Sequence, residues 1–180
     1  IEDEKNEIEP DGMPNAQNIP VSTLHGNIYY HLGLAHYLKN DLEAALTAYQ
    51  KCLDSGDKDD NLVSSTHWIY MILRRMNKEG VDDYLEPIDE NLTIIENTSY
   101  HKLCLFYKGL LTEENLTSKE AAYSANDAVS YGLGNWYLYN DDTTKASTIF
   151  EQMIESSGWN SFGYIAAEAD LARMGIFEEE

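Results

Sequence analysis

From about residue 22 onward, apolar side chains recur at three- and four-residue steps, the period of helices buried along one face. The first such stretch, about Ser22–Lys39, carries Leu24, Ile28, Leu32, Ala35 and His36 on its apolar side, with Ser22 as the expected N-cap. Asn40-Asp41 then reads as a tight turn, and Leu42–Asp54 as a second helix with Leu42, Ala45, Leu46, Tyr49 and Leu53 in phase. Within this pair, Tyr29-x-x-Leu32-Gly33-x-x-His36 is followed by Ala45-x-x-x-Tyr49. Ser130-x-x-Leu133-Gly134-x-x-Tyr137 and Ala146-x-x-x-Phe150 repeat that spacing. Leu32 and Leu133 lie 101 residues apart, and three periods of about 34 residues would give about 102. The two hairpins are in phase, with room for two degenerate copies between them.

The copies in between are weaker. Thr66-x-x-Ile69-Tyr70-x-x-Leu73 fits one frame, and Trp68-x-x-Met71 offers a competing one. The helix expected to follow, about Gly80–Glu86, is short because Pro87 ends it. Asp89–Asn97 reads as an irregular connector whose Leu92, Ile94 and Ile95 pack against an edge. Tyr100-x-x-Leu103-Cys104-x-x-Tyr107 opens a third copy, Thr112 is expected to cap its second helix, and Asn126 or Asp127 the next. The fourth copy runs to about Ser156. A last helix, about Asn160–Arg173, keeps the pattern with Phe162, Ile165, Ala166 and Ala169, and Gly175 suits its C-terminal cap. Leu32, Ile69, Leu103, Leu133 and Ile165 thus mark five successive first helices, the fifth acting as a terminal cap. Hairpins of this kind cannot bury their apolar faces alone and must stack.

Charge changes the range of partners. The 180 residues carry a net charge of −20. Without the acidic stretches at the two ends it is still about −12. Such a surface repels phosphate backbones, so no nucleic-acid partner is expected. No apolar run is long enough for a transmembrane helix, and direct membrane insertion is not expected. Two cysteines support neither a disulfide framework nor a zinc site, which needs about four ligands. Cys52 and Cys104 are expected as small buried hydrophobes. The acids in Asp54–Asn61 resemble the start of a calcium loop but lack its Gly and terminal Glu, and the stretch is read as a solvated connector.

The phased slots identify the chain as resembling the tetratricopeptide-repeat (TPR) superfamily over about residues 22–175. Pro10-Asp11-Gly12-Met13-Pro14-Asn15-Ala16, Leu32-Gly33-Leu34-Ala35-His36-Tyr37-Leu38, Thr66-His67-Trp68 and Gly134-Asn135-Trp136 are similar to bacterial members. In those, further hairpins usually precede the counterpart of residues 1–21, so this chain is expected to be the C-terminal part of a longer array. The resemblance implies an all-α, right-handed solenoid of antiparallel helix pairs, with about four repeats and a C-terminal capping helix. An acidic leader, 1–21, precedes the array and an acidic tail, 176–180, follows it. Two irregular repeats and the missing terminal Pro of each repeat depart from the pattern.

The superfamily also implies a concave groove lined by the first helices, on the face two before and two and five after each Leu slot. Here that face reads Tyr30, Leu34 and Tyr37; His67, Met71 and Arg74; His101, Leu105 and Lys108; and Tyr131, Asn135 and Leu138, with Arg75 and Tyr139 at its border. Cations and aromatics in the groove of an acidic protein suit a protein or peptide segment that is acidic or ends in a carboxylate. In the competing reading, Arg74 and Arg75 pair internally with Asp82 or Asp83. The sequence contains no HExxH, phosphate loop or nucleophile elbow, and no cofactor is expected. The function expected is a non-enzymatic scaffold. The alternatives are a metal-dependent or hydrolytic module built on His67 and His101, or a structural segment that self-associates through exposed solenoid ends. Asn91-Leu-Thr93, Asn97-Thr-Ser99 and Asn115-Leu-Thr117 match glycosylation acceptors, which matter only in a eukaryotic secretory pathway.

Overall fold

Each first helix in this chain ends on a residue that tolerates the left-handed region, and that choice sets the hairpin geometry. In the computed structural model, which describes residues 15, 17–117, 127–155 and 158–176, the helices are α1 (Leu24–Leu38), α2 (Leu42–Asp54), α3 (Asp59–Arg75), α4 (Thr98–Tyr107), α5 (Glu113–Thr117), α6 (Asp127–Tyr139), α7 (Thr143–Ile154) and α8 (Phe162–Arg173). A single 3-10 helix spans Val81–Leu85, and no strand forms among the described residues. The fold is all-α. Expectations that concern residues 1–14, Asn126, Ser156 and residues 177–180 lie outside the described residues.

Asn40, Asn77, Gly109, Asp141 and Gly175 follow α1, α3, α4, α6 and α8 with φ of 59°, 52°, 78°, 65° and 73°. In each case the next residue's N–H reaches back five residues. Asp41 donates to His36, Lys78 to Leu73, Leu110 to Leu105, Asp142 to Tyr137 and Ile176 to Leu171, at 2.9–3.1 Å. This is the Schellman closure, which satisfies last-turn carbonyls and reverses the chain within two residues. After α2, Gly56 follows the C-cap Ser55 without entering the left-handed region. Asp41 and Asp142 then cap α2 and α7, accepting from the backbone N–H of Ala44 and Lys145 at 3.4 and 3.1 Å. At the start of α1 the cap is Thr23, not Ser22, with Oγ1 accepting from Gly26 N at 3.0 Å.

The chain divides after Leu110 into two compact units. In unit 1, α1 pairs with α2, α3 packs on α2 and α1, and α4 packs on α3. In unit 2, α6 pairs with α7, and α8 packs on both. The small slot works the same way in each hairpin. A Cβ on Gly33 would lie 2.6 Å from the Tyr49 ring, and one on Gly134 would lie 2.5 Å from the Phe150 ring. Tyr49, Phe150, Ala45 and Ala146 are fully buried behind these contacts.

The second repeat departs most from the expected pattern. Its partner element is a 3-10 turn in place of a helix, ending before Pro87, and the connector runs to Thr98. Both proposed frames on α3 are buried, because helices lie on more than one side of it: Trp68, Ile69, Tyr70, Met71 and Leu73 all fall below a tenth exposed. Of the acids in the expected solvated connector, Asp59 and Asp60 instead open α3. Asp60, 1% exposed, accepts from the backbone N–H groups of Ile95, Glu96 and Asn97 at 2.8–2.9 Å. Asp59 accepts from Thr93 at 2.7 Å. Four connector donors thereby find acceptors at the positive end of a helix dipole, so the connector is held without secondary structure of its own.

Candidate functional site

Unit 1 gathers an aromatic cluster on the faces of α1, α2, α3 and α4. The Trp68 indole stacks on Tyr49 with centroids 5.5 Å apart and meets Tyr37 edge-on at 5.1 Å. Its Nε1–H donates to the Tyr30 hydroxyl at 3.0 Å, leaving that hydroxyl to donate to Tyr100, 2.8 Å away. Burial holds the Tyr30 phenol well above its ordinary pKa, with Tyr100 and Tyr49 adding to the effect. His67 is 1% exposed, sits between Tyr100 at 4.8 Å and Tyr107 at 5.9 Å, and shares a hydrogen bond with the Tyr107 hydroxyl through Nδ1. Desolvation pushes its pKa down to about 3, so the ring is neutral at ordinary pH.

These positions correct the expected groove. Tyr37, His67, Tyr131 and Asn135 are at most 1% exposed and cannot line an open surface. The position two after each Leu slot (Leu34, Met71, Leu105, Asn135) is buried, whereas of the positions five after it only Tyr37 is, with Arg74 and Leu138 half-buried and Lys108 exposed. Tyr30 is half-buried with its hydroxyl turned inward. Tyr139 is half-buried in unit 2. His101 donates through Nε2 to the Asp89 carbonyl at 2.8 Å. The Lys108 ammonium donates to the Glu86 and Ile88 carbonyls at 3.0 and 2.6 Å. Both therefore fasten the connector to α4. Given these partners, His67 and His101 do not form the two-histidine centre of the alternative reading. Among the described residues no group of three or more His, Cys, Asp or Glu is placed to hold a metal ion.

Arg74 and Arg75, in the last turn of α3, remain half-buried at the surface, and the Arg75 guanidinium lies 5.0 Å over the Tyr37 ring. Close by in sequence, a cleft of about 560 Å³ is lined by Asp82, Asp83, Leu85, Glu86, Tyr107 and Lys108. The two cysteines are buried, and desolvation raises both thiols. Their environments are inert ones.

Sequence reasoning missed Asp60 and Asp170. The signal for Asp60 was an acidic pair placed where a helix could start. Asp170, 2% exposed in unit 2, accepts from the Tyr131 hydroxyl and from Arg173, both at 2.8 Å. Its Asp-x-x-Arg spacing was visible, but not the tyrosine that faces it.

The repeated hairpin, its wedge at Gly33 and Gly134 and its five Schellman closures define a helical-repeat protein. Residues 26–55, which cover most of α1 and all of α2, match the family model described as "Tetratricopeptide repeat". That hairpin is a tetratricopeptide repeat. No curated protein and no solved structure matches it.

Proposed function

We propose that the protein is a non-enzymatic scaffold that holds a protein or peptide segment, acidic or carboxylate-terminated, at the end of α3 in unit 1. A TPR hairpin suggests protein interaction in general. The observation that supports the narrower reading is the Arg74–Arg75 pair, held at the surface with one guanidinium braced on Tyr37. A planar donor fork held in one orientation suits a carboxylate better than a mobile lysine does. Lys108, assigned to the same centre by sequence, belongs to the connector instead.

The test is a display selection with carboxylate-terminated peptides, followed by titration of the enriched peptides. Replacing both arginines (Arg74→Ala/Arg75→Ala) is expected to weaken binding by about 2–5 kcal/mol. The effect should shrink at high salt. Lys51→Ala, on the exposed side of α2, should bind like the parent, and Lys108→Ala should lower stability more than affinity. Unchanged affinity in the double-arginine variant, or no enrichment at all, overturns the reading.

A further inference from the structure

The arginine site at the end of α3 is not built by α3 alone. Arg75 carries its guanidinium 5.0 Å over the ring of Tyr37, which stands in the last turn of α1. That tyrosine is 1% exposed and is fixed in two ways. Its backbone belongs to the turn that closes α1, where the Tyr37 carbonyl accepts from the Asn40 N–H at 2.9 Å. Its ring meets the Trp68 indole edge-on, with centroids 5.1 Å apart, and Trp68 in turn stacks on Tyr49 of α2. A continuous path of ring contacts therefore runs from the first hairpin, through the joint, to a guanidinium at the surface of α3.

Immobilising a long, rotamer-rich side chain on binding costs a ligand roughly two- to tenfold in affinity. A guanidinium already held over a rigid ring has met much of that cost before the ligand arrives. The buried ring itself lies beneath the guanidinium and is out of a ligand's reach. We infer that Tyr37 is the positioning residue of the site. It acts only through Arg75, which it holds as the fork that reads the carboxylate. The site is then assembled from α1 and α3 together and exists only while those helices are docked. This inference rests on the carboxylate reading of the arginine pair and adds to it the residue that makes the fork rigid.

A double-mutant cycle on the whole chain is the test, with an enriched carboxylate-terminated peptide as the probe. Tyr37→Phe keeps the ring and should bind like the parent. Tyr37→Leu and Arg75→Lys should each weaken binding roughly two- to tenfold. Together they should cost no more than Arg75→Lys alone, within about twofold, because the ring has no other route to the ligand. The Arg75 Nε–H resonance gives a readout that needs no ligand. In the parent and in Tyr37→Phe the ring current should shift it upfield, and in Tyr37→Leu that shift should vanish. Losses that add in the cycle, or a resonance that Tyr37→Leu leaves in place, overturn the inference and leave the carboxylate reading standing. If Tyr37→Leu does not fold, the parent's resonance decides, and one at the ordinary arginine position overturns the inference. Unchanged binding in Arg74→Ala/Arg75→Ala removes the carboxylate reading and this inference together.

Discussion

In α1–α2 the ring of Tyr49 fills the space over Gly33, and in α6–α7 the ring of Phe150 fills the space over Gly134. The turns match as well, with Asn40-Asp41 and Asp141-Asp142 in the same backbone conformation and the same capping role. The third helix of each triplet then takes a different course. α3 brings Trp68 against Tyr49 and Tyr37, so the joint is built from large rings. α8 brings Gly163, Ala166 and Ala167, all buried, and its backbone comes so close that a Cβ on Gly163 would run into the Asp127 carbonyl. Ser161 caps α8 and also donates to the Asp127 carboxylate, which pins the start of α8 to the start of α6. Even the shared tyrosine changes role, since the Tyr30 hydroxyl accepts from an indole while that of Tyr131 donates to the buried Asp170. The hairpin is thus the conserved geometric unit within this molecule, and the joint to the next helix accepts either ring stacking or close backbone contact.

The largest expected effect tests that difference directly. Trp68→Ala removes the centre of the unit 1 joint and should destabilise that unit by about 3–5 kcal/mol. The opposite change in the other joint, Ala167→Leu, should destabilise unit 2 by overpacking, by about 1–3 kcal/mol. Hydrogen exchange followed separately over the two units checks both. If Trp68→Ala leaves exchange in α1–α3 unchanged, the ring-stacked joint is not what holds that unit.

The wedge tests the similarity. Gly33→Leu and Gly134→Leu each force a side chain into a buried ring and should cost about 3 kcal/mol, near the upper end for overpacked cores. The two losses should agree within about 1 kcal/mol, and chemical denaturation measures them. Melting at or above the parent temperature in both variants would mean that the small slot is not where the helices come closest.

A pH dependence also belongs to unit 1. His67 is neutral when folded, with a pKa of about 3, and titrates near 6.5 when unfolded. As pH falls below 6.5 the unfolded chain takes up a proton that the folded chain refuses, so stability is lost on acidification and is flat above that value. Between pH 7 and pH 4.5 the loss is about 2–3 kcal/mol. In His67→Gln this part of the slope should vanish. An unchanged slope would assign the acid sensitivity to other groups.

What could be read along the chain was what a short-range pattern encodes. The helices themselves, the paired Gly and aromatic slots, and Asn40 and Gly175 as turn residues appear in the structure where expected, because a few neighbouring residues determine each of them, whereas the expected apolar side of α1 does not, with Ile28, Leu32 and Ala35 exposed. The 3-10 turn before Pro87 was legible only as a short helix, since proline marks where an element stops but not how tightly it is wound. Lys108 looked like a groove cation because its helix position was known and its two carbonyl acceptors, about 20 residues earlier, were not.

By itself the sequence determined the class of fold, the register of the two good hairpins and the acidic body, all of which depend on local spacing and composition. Only the tertiary structure decided which face was surface. Tyr37, His67, Tyr131 and Asn135 became core and Leu32 stayed exposed. Asp60 became the anchor of a distant connector, 35 to 37 residues away along the chain. Burial depends on how closely neighbouring helices approach. That distance is set by the side chains of both partners together, Trp68 in one joint and Gly163 in the other, and no period along a single helix records it.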